Sequence, residues 1–322
     1  MRLAEIATAL GGTCIGDSSL NIEGIGDLDH SNPQFIRLIM SDKFTKKALA
    51  TKATAFITFK EIPEIPNQIV VANVKQALAQ AIDLFHPSPT PDTGISARCD
   101  LHDTVTLGKD CFVGPFTCIG EGTSLGDTVQ VGPNVVIGKN CVIGSNTTIL
   151  SGTIILDDVQ IGQHVQIGPN NSIGIKGYGY YRDNHCWHHI PHVHGVVIED
   201  HVEIGASNTI ARGCLKPTLI KQHTKIDCTC HIAHNCEIGE DVAMTSHIAM
   251  AGSVTIGAHT LIAGEVGFAE HVSVGAQSTL LARAGITKDV PEKSVVSGFP
   301  AQNHRDEIAY QARLRNSVKK TN

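Results

Sequence analysis

The chain has 322 residues, with 25 Lys and Arg against 31 Asp and Glu and a formal charge of −6. So mild a balance carries no basic footprint for nucleic acid, and no apolar run approaches the roughly 18 residues of an integral membrane segment. The 31 glycines and 42% apolar residues, beside only nine Phe, four Tyr and one Trp, predict thin, regular packing layers instead of a bulky core.

The first ten residues, MRLAEIATAL, hold Glu5 and no cleavage signature, so they do not read as a secretory signal. Ten cysteines without a CxxC pair then read as reduced thiols of a cytoplasmic protein. Arg2–Leu10 predicts a short helix ending at Gly11 and Gly12. Ala55–Phe59 and Gln68–Val71 predict strands, and Val74–Phe85 an amphipathic helix. Residues 1–86 therefore read as a small α/β domain. Residues 87–94 (PSPTPDTG) read as a linker.

From Ile95 a six-residue period takes over. Every sixth residue to Ile173 is Ile, Leu or Val, fourteen in succession. At about 30% occurrence per position, chance gives such a run on the order of once in ten million trials. Gly follows many of these positions, for example Gly108, Gly120 and Gly144. Four residues on stands a small or β-branched residue, such as Thr117, Val135 or Cys141. The register slips across residues 174–197, an insertion, and resumes at Ile198, Ile204 and Ile210. It slips again at Cys214–Thr218 and continues from Ile220 to Ile286.

Six residues per rung make a short strand and a turn, and three rungs make a triangular coil of about 18 residues, so the core is all-β, a parallel β-helix over residues 95–301. Each glycine is expected to permit a tight corner at positive φ. Cys111, Cys141, Cys230 and Cys236 fall at the small inward position and read as core. Periodicity leaves the handedness open. Residues 302–322 read as a C-terminal α-helical tail carrying Arg305, Arg313, Arg315, Lys319 and Lys320.

Departures from the repeat are where chemistry is expected. His234 stands two residues past inward Ile232. Gly252 lies eighteen residues on, and His271 thirty-seven, so the three are expected to share one column. A base, an accessible backbone N–H and a second histidine suit acyl transfer. The insertion also holds His185, Cys186, Trp187, His188, His189, His192 and His194, which invites a metal or else forms a loop over the cleft.

Several segments carry a resemblance: HIAHN (231–235), MAGS (250–253), GEVGFAEH (264–271), SGFPA (297–301), GYGY (177–180), WHHIP (187–191) and VEIGA (202–206). Together they resemble the UDP-3-O-acylglucosamine N-acyltransferases of lipid A biosynthesis, within the hexapeptide-repeat acyltransferases. The resemblance implies a left-handed β-helix, a homotrimer with sites between neighbouring prisms, and acyl transfer from acyl carrier protein to the 2-amine of UDP-3-O-acylglucosamine. It implies His234 as general base and Gly252 as oxyanion donor. His271, Asp227, Asn235, Phe44, Ser41 and Tyr178 become acceptor-binding candidates. Neither cofactor nor metal is implied, since the donor thioester rides on the 4′-phosphopantetheine of the carrier.

The segment LIMSDKF (38–44) departs from the family's uracil clamp, placing Leu38 for an aromatic and Ser41 for Asn. Ala211–Gly213 (ARG) replaces an Asp-Arg-Gly, and Cys228 replaces an Asn. These changes fit a divergent copy of the enzyme. The alternatives are an acetyl-CoA-dependent acetyltransferase for nucleotide amino sugars, a zinc enzyme of the γ-carbonic-anhydrase type, and a non-catalytic scaffold.

Overall fold

A computed structural model describes residues 1–87, 90 and 92–319. Three residues of the expected linker (88, 89 and 91) and Lys320 of the basic tail lie outside the described residues. The chain divides into two compact units, Met1–Thr90 and Pro91–Asn322.

In the first unit α1 (Leu3–Ala9) is followed by β1 (Thr13–Ile15), β2 (Gly24–Gly26), β3 (Phe35–Ile39), α2 (Thr45–Leu49), β4 (Phe56–Thr58), β5 (Gln68–Val70) and α3 (Val74–Phe85). The sheet order is β1-β5-β4-β3-β2, parallel except for β1 against β5. α3 is capped by Asn73, whose Oδ1 accepts from the N–H groups of Lys75 and Gln76. The helices at 3–9 and 74–85 and the strands at 56–58 and 68–70 are those expected. β1 and β2 are too short for a period to show. β3 hides a buried Arg37, 1% exposed, which donates to the carbonyls of Leu28, His30 and Asn32.

The second unit is a left-handed parallel β-helix with sheets of ten, nine and twelve strands. Neighbouring strands are eighteen residues apart, as in Ile119↔Ile137 and Ile137↔Ile155. Across the insertion Ile161 pairs with Ile198. Across the second slip Ile210 pairs with Ile232. The inward ladder from Val113 to Ile286 is buried. Each such side chain contributes roughly 1.5–3 kcal/mol by leaving water. Ile95 and Leu107 are 43% and 37% exposed, because no coil stacks beneath the first one.

The small inward positions behave as expected. Thr117 and Thr123 each donate Oγ1–H to a carbonyl of the next coil, at 2.8 and 2.7 Å. Asn171 and Asn208 form a buried amide step, Asn171 Oδ1 accepting from Asn208 N–H at 2.8 Å. Cys111, Cys141, Cys230 and Cys236 are buried, and burial pushes the Cys236 thiol up to about 11. They are core residues.

The corners correct the expectation. Positive φ falls three residues after the inward one, on side chains such as Asn134, Asn140, Asp158 and His164. Asn and Asp tolerate that conformation best among non-glycines. Apart from Gly174 at the start of the insertion (φ 87°), the glycines directly after the inward residue do not take it; they allow coil-to-coil approach. A Cβ on Gly144 would lie 2.5 Å from the carbonyl carbon of Gly162.

The insertion leaves the prism after Ile175 and returns at Val196. It folds as an antiparallel hairpin, Tyr180–Asp183 against Cys186–His189. The tail is α4 (His304–Lys319), beginning two residues later than the expected boundary, with Arg305, Arg313 and Arg315 exposed. Among the described residues no helix is long and apolar enough to cross a membrane.

Stacking by backbone contact gives a paired expectation. Gly144→Ala destabilises the protein by about 1–3 kcal/mol, as overpacking does. Gly267→Ala stays within about 0.5 kcal/mol, because nothing lies within 4 Å of its Cβ position. Urea titrations of the two variants measure the difference, and equal losses would contradict the contact.

Candidate active site

The strand His231–Ile232 pairs with Ala249–Met250, and that strand with Gly267–Phe268. Positions 234, 252 and 270 therefore superpose, and 235, 253 and 271 form the column beside them. His234 and Gly252 come together as expected. His271 does not share their column: it stands above Asn235 and Ser253, all three with φ near 60° (60°, 61° and 61°). Glu270 occupies the place above Gly252. The two columns are tied by Ser253 N–H to His234 O, 2.9 Å, and His271 N–H to Gly252 O, 3.0 Å.

His234 is half-buried, and its Nδ1 lies 3.0 Å from Asn235 Oδ1. Asn235 is itself fixed. Its Oδ1 accepts from Cys214 N–H at 3.2 Å and its Nδ2 donates to Lys216 O at 3.1 Å. With the amide so oriented, Oδ1 can only accept from the imidazole. Nδ1 of His234 carries the proton and Nε2 keeps its lone pair. Asn235, expected to bind the acceptor, thus spends its side chain on orienting His234 and on the bulge at 214–216.

Gly252 lies against the imidazole. A Cβ there would stand 2.5 Å from Cε1 and 2.7 Å from Nε2 of His234. Only glycine leaves the ring this room. Two residues past the inward one, some N–H groups of the prism are capped from the next coil, Lys139 by Asp157, Gln163 by Asp200 and Ala206 by the Cys228 thiol, while those of Glu121 and Asp157, at the same corner as Gly252, find no acceptor among the described residues. The Gly252 N–H has no acceptor among the described residues.

The insertion supplies the opposite wall. The Gly177 backbone packs on both His192 and His234, 2.4 Å from His192 Nε2 and 2.7 Å from His234 Cβ to where its own Cβ would be. His192 is 8% exposed, its ring centroid 4.8 Å from that of His234. Sequence reasoning placed His192 only within a histidine-rich loop. No period runs through the insertion that could have singled it out. A cavity of about 370 Å³ is lined by Lys176, Gly177, Tyr178, Tyr180, His231 and Ala233. Burial holds the His231 imidazole below its ordinary range. Tyr178 is 85% exposed at the rim.

Other candidates stand apart. Asp227 follows the strand Lys225–Ile226, one corner earlier on the coil than His234. It is exposed and lines a different cavity of about 540 Å³, with Glu203, Lys225 and Gln166. In the first unit Leu38 and Phe44 line a cavity of about 610 Å³ with Met40, Leu78 and Ile82, rimmed by Asp27 and the Lys47–Asp29 ion pair. Ser41 does not line it and instead precedes the turn Asp42–Phe44. Among the described residues no three His, Cys, Asp or Glu side chains converge as a metal site requires. His189 and His192 face the carbonyls of Gly177 and Ile190.

The pattern for "Bacterial transferase hexapeptide (six repeats)" matches residues 104–139, 119–151 and 140–174. In solved structures, the UDP-N-acetylglucosamine O-acyltransferase of Moraxella catarrhalis is similar at TM-score 0.54 and 26% identity, over 65% of this chain and 73% of that one. The Bacteroides fragilis UDP-N-acetylglucosamine acyltransferase shares the fold at TM-score 0.54 and 22% identity, with the same coverage. The UDP-3-O-acylglucosamine N-acyltransferase of Wolinella succinogenes is 39% identical over 150 residues, spanning 46% of this chain and about half, 47%, of that one. Two relatives match over nearly their whole length. The UDP-3-O-acylglucosamine N-acyltransferase of Geobacter sp. (strain M21) is 44% identical over 94% of this chain and 88% of its own. The UDP-3-O-acylglucosamine N-acyltransferase 2 of Sulfurimonas denitrificans is 38% identical over 98% of each. With its coils, its His234–Gly252 corner and these full-length matches, the chain belongs to the UDP-3-O-acylglucosamine N-acyltransferase family.

Proposed function

We propose that this chain moves a 3-hydroxyacyl group from acyl carrier protein to the 2-amine of UDP-3-O-acylglucosamine, in the cytoplasm. One observation carries the reading: His234 offers a free Nε2 directly against Gly252, whose N–H is left uncapped. The amine nitrogen attacks the thioester carbonyl while Nε2 takes its proton. The carbonyl oxygen becomes an oxyanion, and the Gly252 N–H donates to it. The C–S bond then breaks, and the imidazolium returns the proton to the leaving thiolate of the pantetheine arm. No acyl-enzyme and no cofactor is needed, because both substrates are held together.

Asp227 and His234 lie at successive corners of one prism, so a pocket that uses both is built between two prisms. This supports a homotrimer in which each cleft takes Asp227 and His234 from neighbours. His271, one column over from the base, would meet the acceptor near its phosphates, with Tyr178 at the rim. Phe44 would stack on uracil. Leu38 and Met40 make that cavity more apolar than an aromatic clamp, and Ser41, off the cavity, contributes little. The exposed Arg305, Arg313 and Arg315 would steer the acidic carrier.

The test is a ladder of 3-hydroxyacyl carrier proteins offered with UDP-3-O-acylglucosamine, the product followed by mass spectrometry. A diacylated product is expected. Turnover with acetyl-CoA and a nucleotide amino sugar, and none with carrier thioesters, would replace this reading. His234→Ala lowers kcat by about 10²–10⁴, the usual loss with a general base. Normal turnover by the pure, folded variant would refute the assignment. Asn235→Ala frees the imidazole and leaves the Cys214 N–H and Lys216 carbonyl unpaired. It lowers kcat and costs about 1–3 kcal/mol in a denaturant titration.

A further inference from the structure

The insertion is pinned to the prism rather than hung over it. At its far end the Arg212 guanidinium, 18% exposed, donates to His194 O at 3.3 Å, Asp157 O at 3.0 Å and Asp158 Oδ2 at 3.2 Å. The His194 N–H donates to Gly213 O at 3.1 Å. A Cβ on Gly195 would fall 1.9 Å from Asp158 O, so only glycine lets the chain rejoin here. Within the loop, Ile190 N–H donates to Gly179 O at 2.8 Å, and His189 Nε2 lies 3.2 Å from Gly177 O.

These contacts deliver His192 to the base. Its Nδ1 is 2.8 Å from Ile190 O, and a carbonyl can only accept, so Nδ1 carries the proton. The ring then meets His234 at an interplanar angle of 66°, the edge-to-face arrangement aromatic rings favour. Gly177 closes the wedge, since any side chain there would strike the His192 imidazole and the Cβ of His234. We propose that His192 is a positioning residue for His234: the pinned insertion holds its ring edge-on to the imidazole and fixes the rotamer that lies against Gly252. This rests on His234 being the base.

A neutral ring is what the place requires. Burial, opposed by the hydrogen bond to Ile190 and joined by the nearby His234, His189 and Arg212, holds the His192 imidazole below its ordinary range. When His234 takes a proton, its neighbour adds no second charge. An apolar side chain would fill the volume, but could not be tethered to Ile190 O in one orientation.

The experiment compares His192→Ala, His192→Leu and His192→Gln in the full chain, with carrier thioester and acceptor as substrates and thermal melts as the folding control. His192→Ala lowers kcat about tenfold or more, with the acceptor KM within about twofold. His192→Leu keeps the volume and lowers kcat alone. It carries the test should the alanine variant not fold. His192→Gln, which can still donate to Ile190 O, recovers most of the rate. In a His234→Ala background, His192→Ala causes no further loss. A folded His192→Leu or His192→Ala with unaltered kcat, or a change confined to KM, overturns the proposal while the base assignment stands. Full turnover by His234→Ala would remove the base and this proposal together.

Discussion

An N–H on one coil must meet a carbonyl on the next, as Gly144 N–H meets Ile161 O at 2.8 Å. That requirement holds the eighteen-residue register through three sheets and stacks the inward isoleucines on one another. It also sets what a corner can be. Each corner turns through one residue at positive φ, and the N–H just before it points away from the ladder and must find its own acceptor. At some corners aspartate, serine or a thiol from the next coil supplies one. A corner N–H without such a cap is a donor held in place by the whole prism and free to meet something else. A side chain on a loop could not be held so rigidly.

Much of this was legible because the ladder repeats. The inward residues, the coil length and the His234–Gly252 superposition follow from counting in eighteens. Counting also explains the one misplaced residue: His271 is thirty-seven positions from His234, one more than two coils, so it belongs to the column of Asn235. The glycines were legible as a pattern but not in their purpose. A glycine at a turn suggests positive φ, whereas here Asn, Asp and His take that conformation at most corners, glycine only at a few such as Gly122 and Gly152, and the glycines after the inward residue mostly yield space to the backbone above. Handedness could not be read from a period at all. In the first unit β1 and β2 carry too little pattern, and Arg37 breaks the apolar run of β3 while serving as its brace. His192 escaped for a related reason: its contacts are fixed by the pinning of the insertion, and no periodicity reaches into it.

The irregularities share one place. The insertion follows Ile173, the second slip follows Ile210, His234 follows Ile232 and Gly252 follows Met250. These four inward residues belong to successive strands of the ten-stranded sheet. All of the departures therefore fall at the same corner of the prism on four neighbouring coils. The side chains join them: His192 of the insertion touches His234, and Asn235 ties His234 to the slip at Cys214 and Lys216.

A regular prism offers near-identical corners, and identical corners cannot distinguish an acyl donor from water. Breaking the repeat at one corner solves this without weakening the ladder. The inward residues there, Ile173, Ile210, Ile232 and Met250, stay at 1% exposure or less. The added chain goes outward, where it can wall His234 on one side while Gly252 leaves the other open. Because the core beneath does not change, His234 and the Gly252 N–H are positioned by the same hydrogen-bonded register that makes the fold. His234 is oriented by the Asn235 side chain, itself bonded to the backbone at Cys214 and Lys216, and His192 by the backbone carbonyl of Ile190. The ladder therefore places His234 against Gly252, and the insertion adds the one wall that the register does not place.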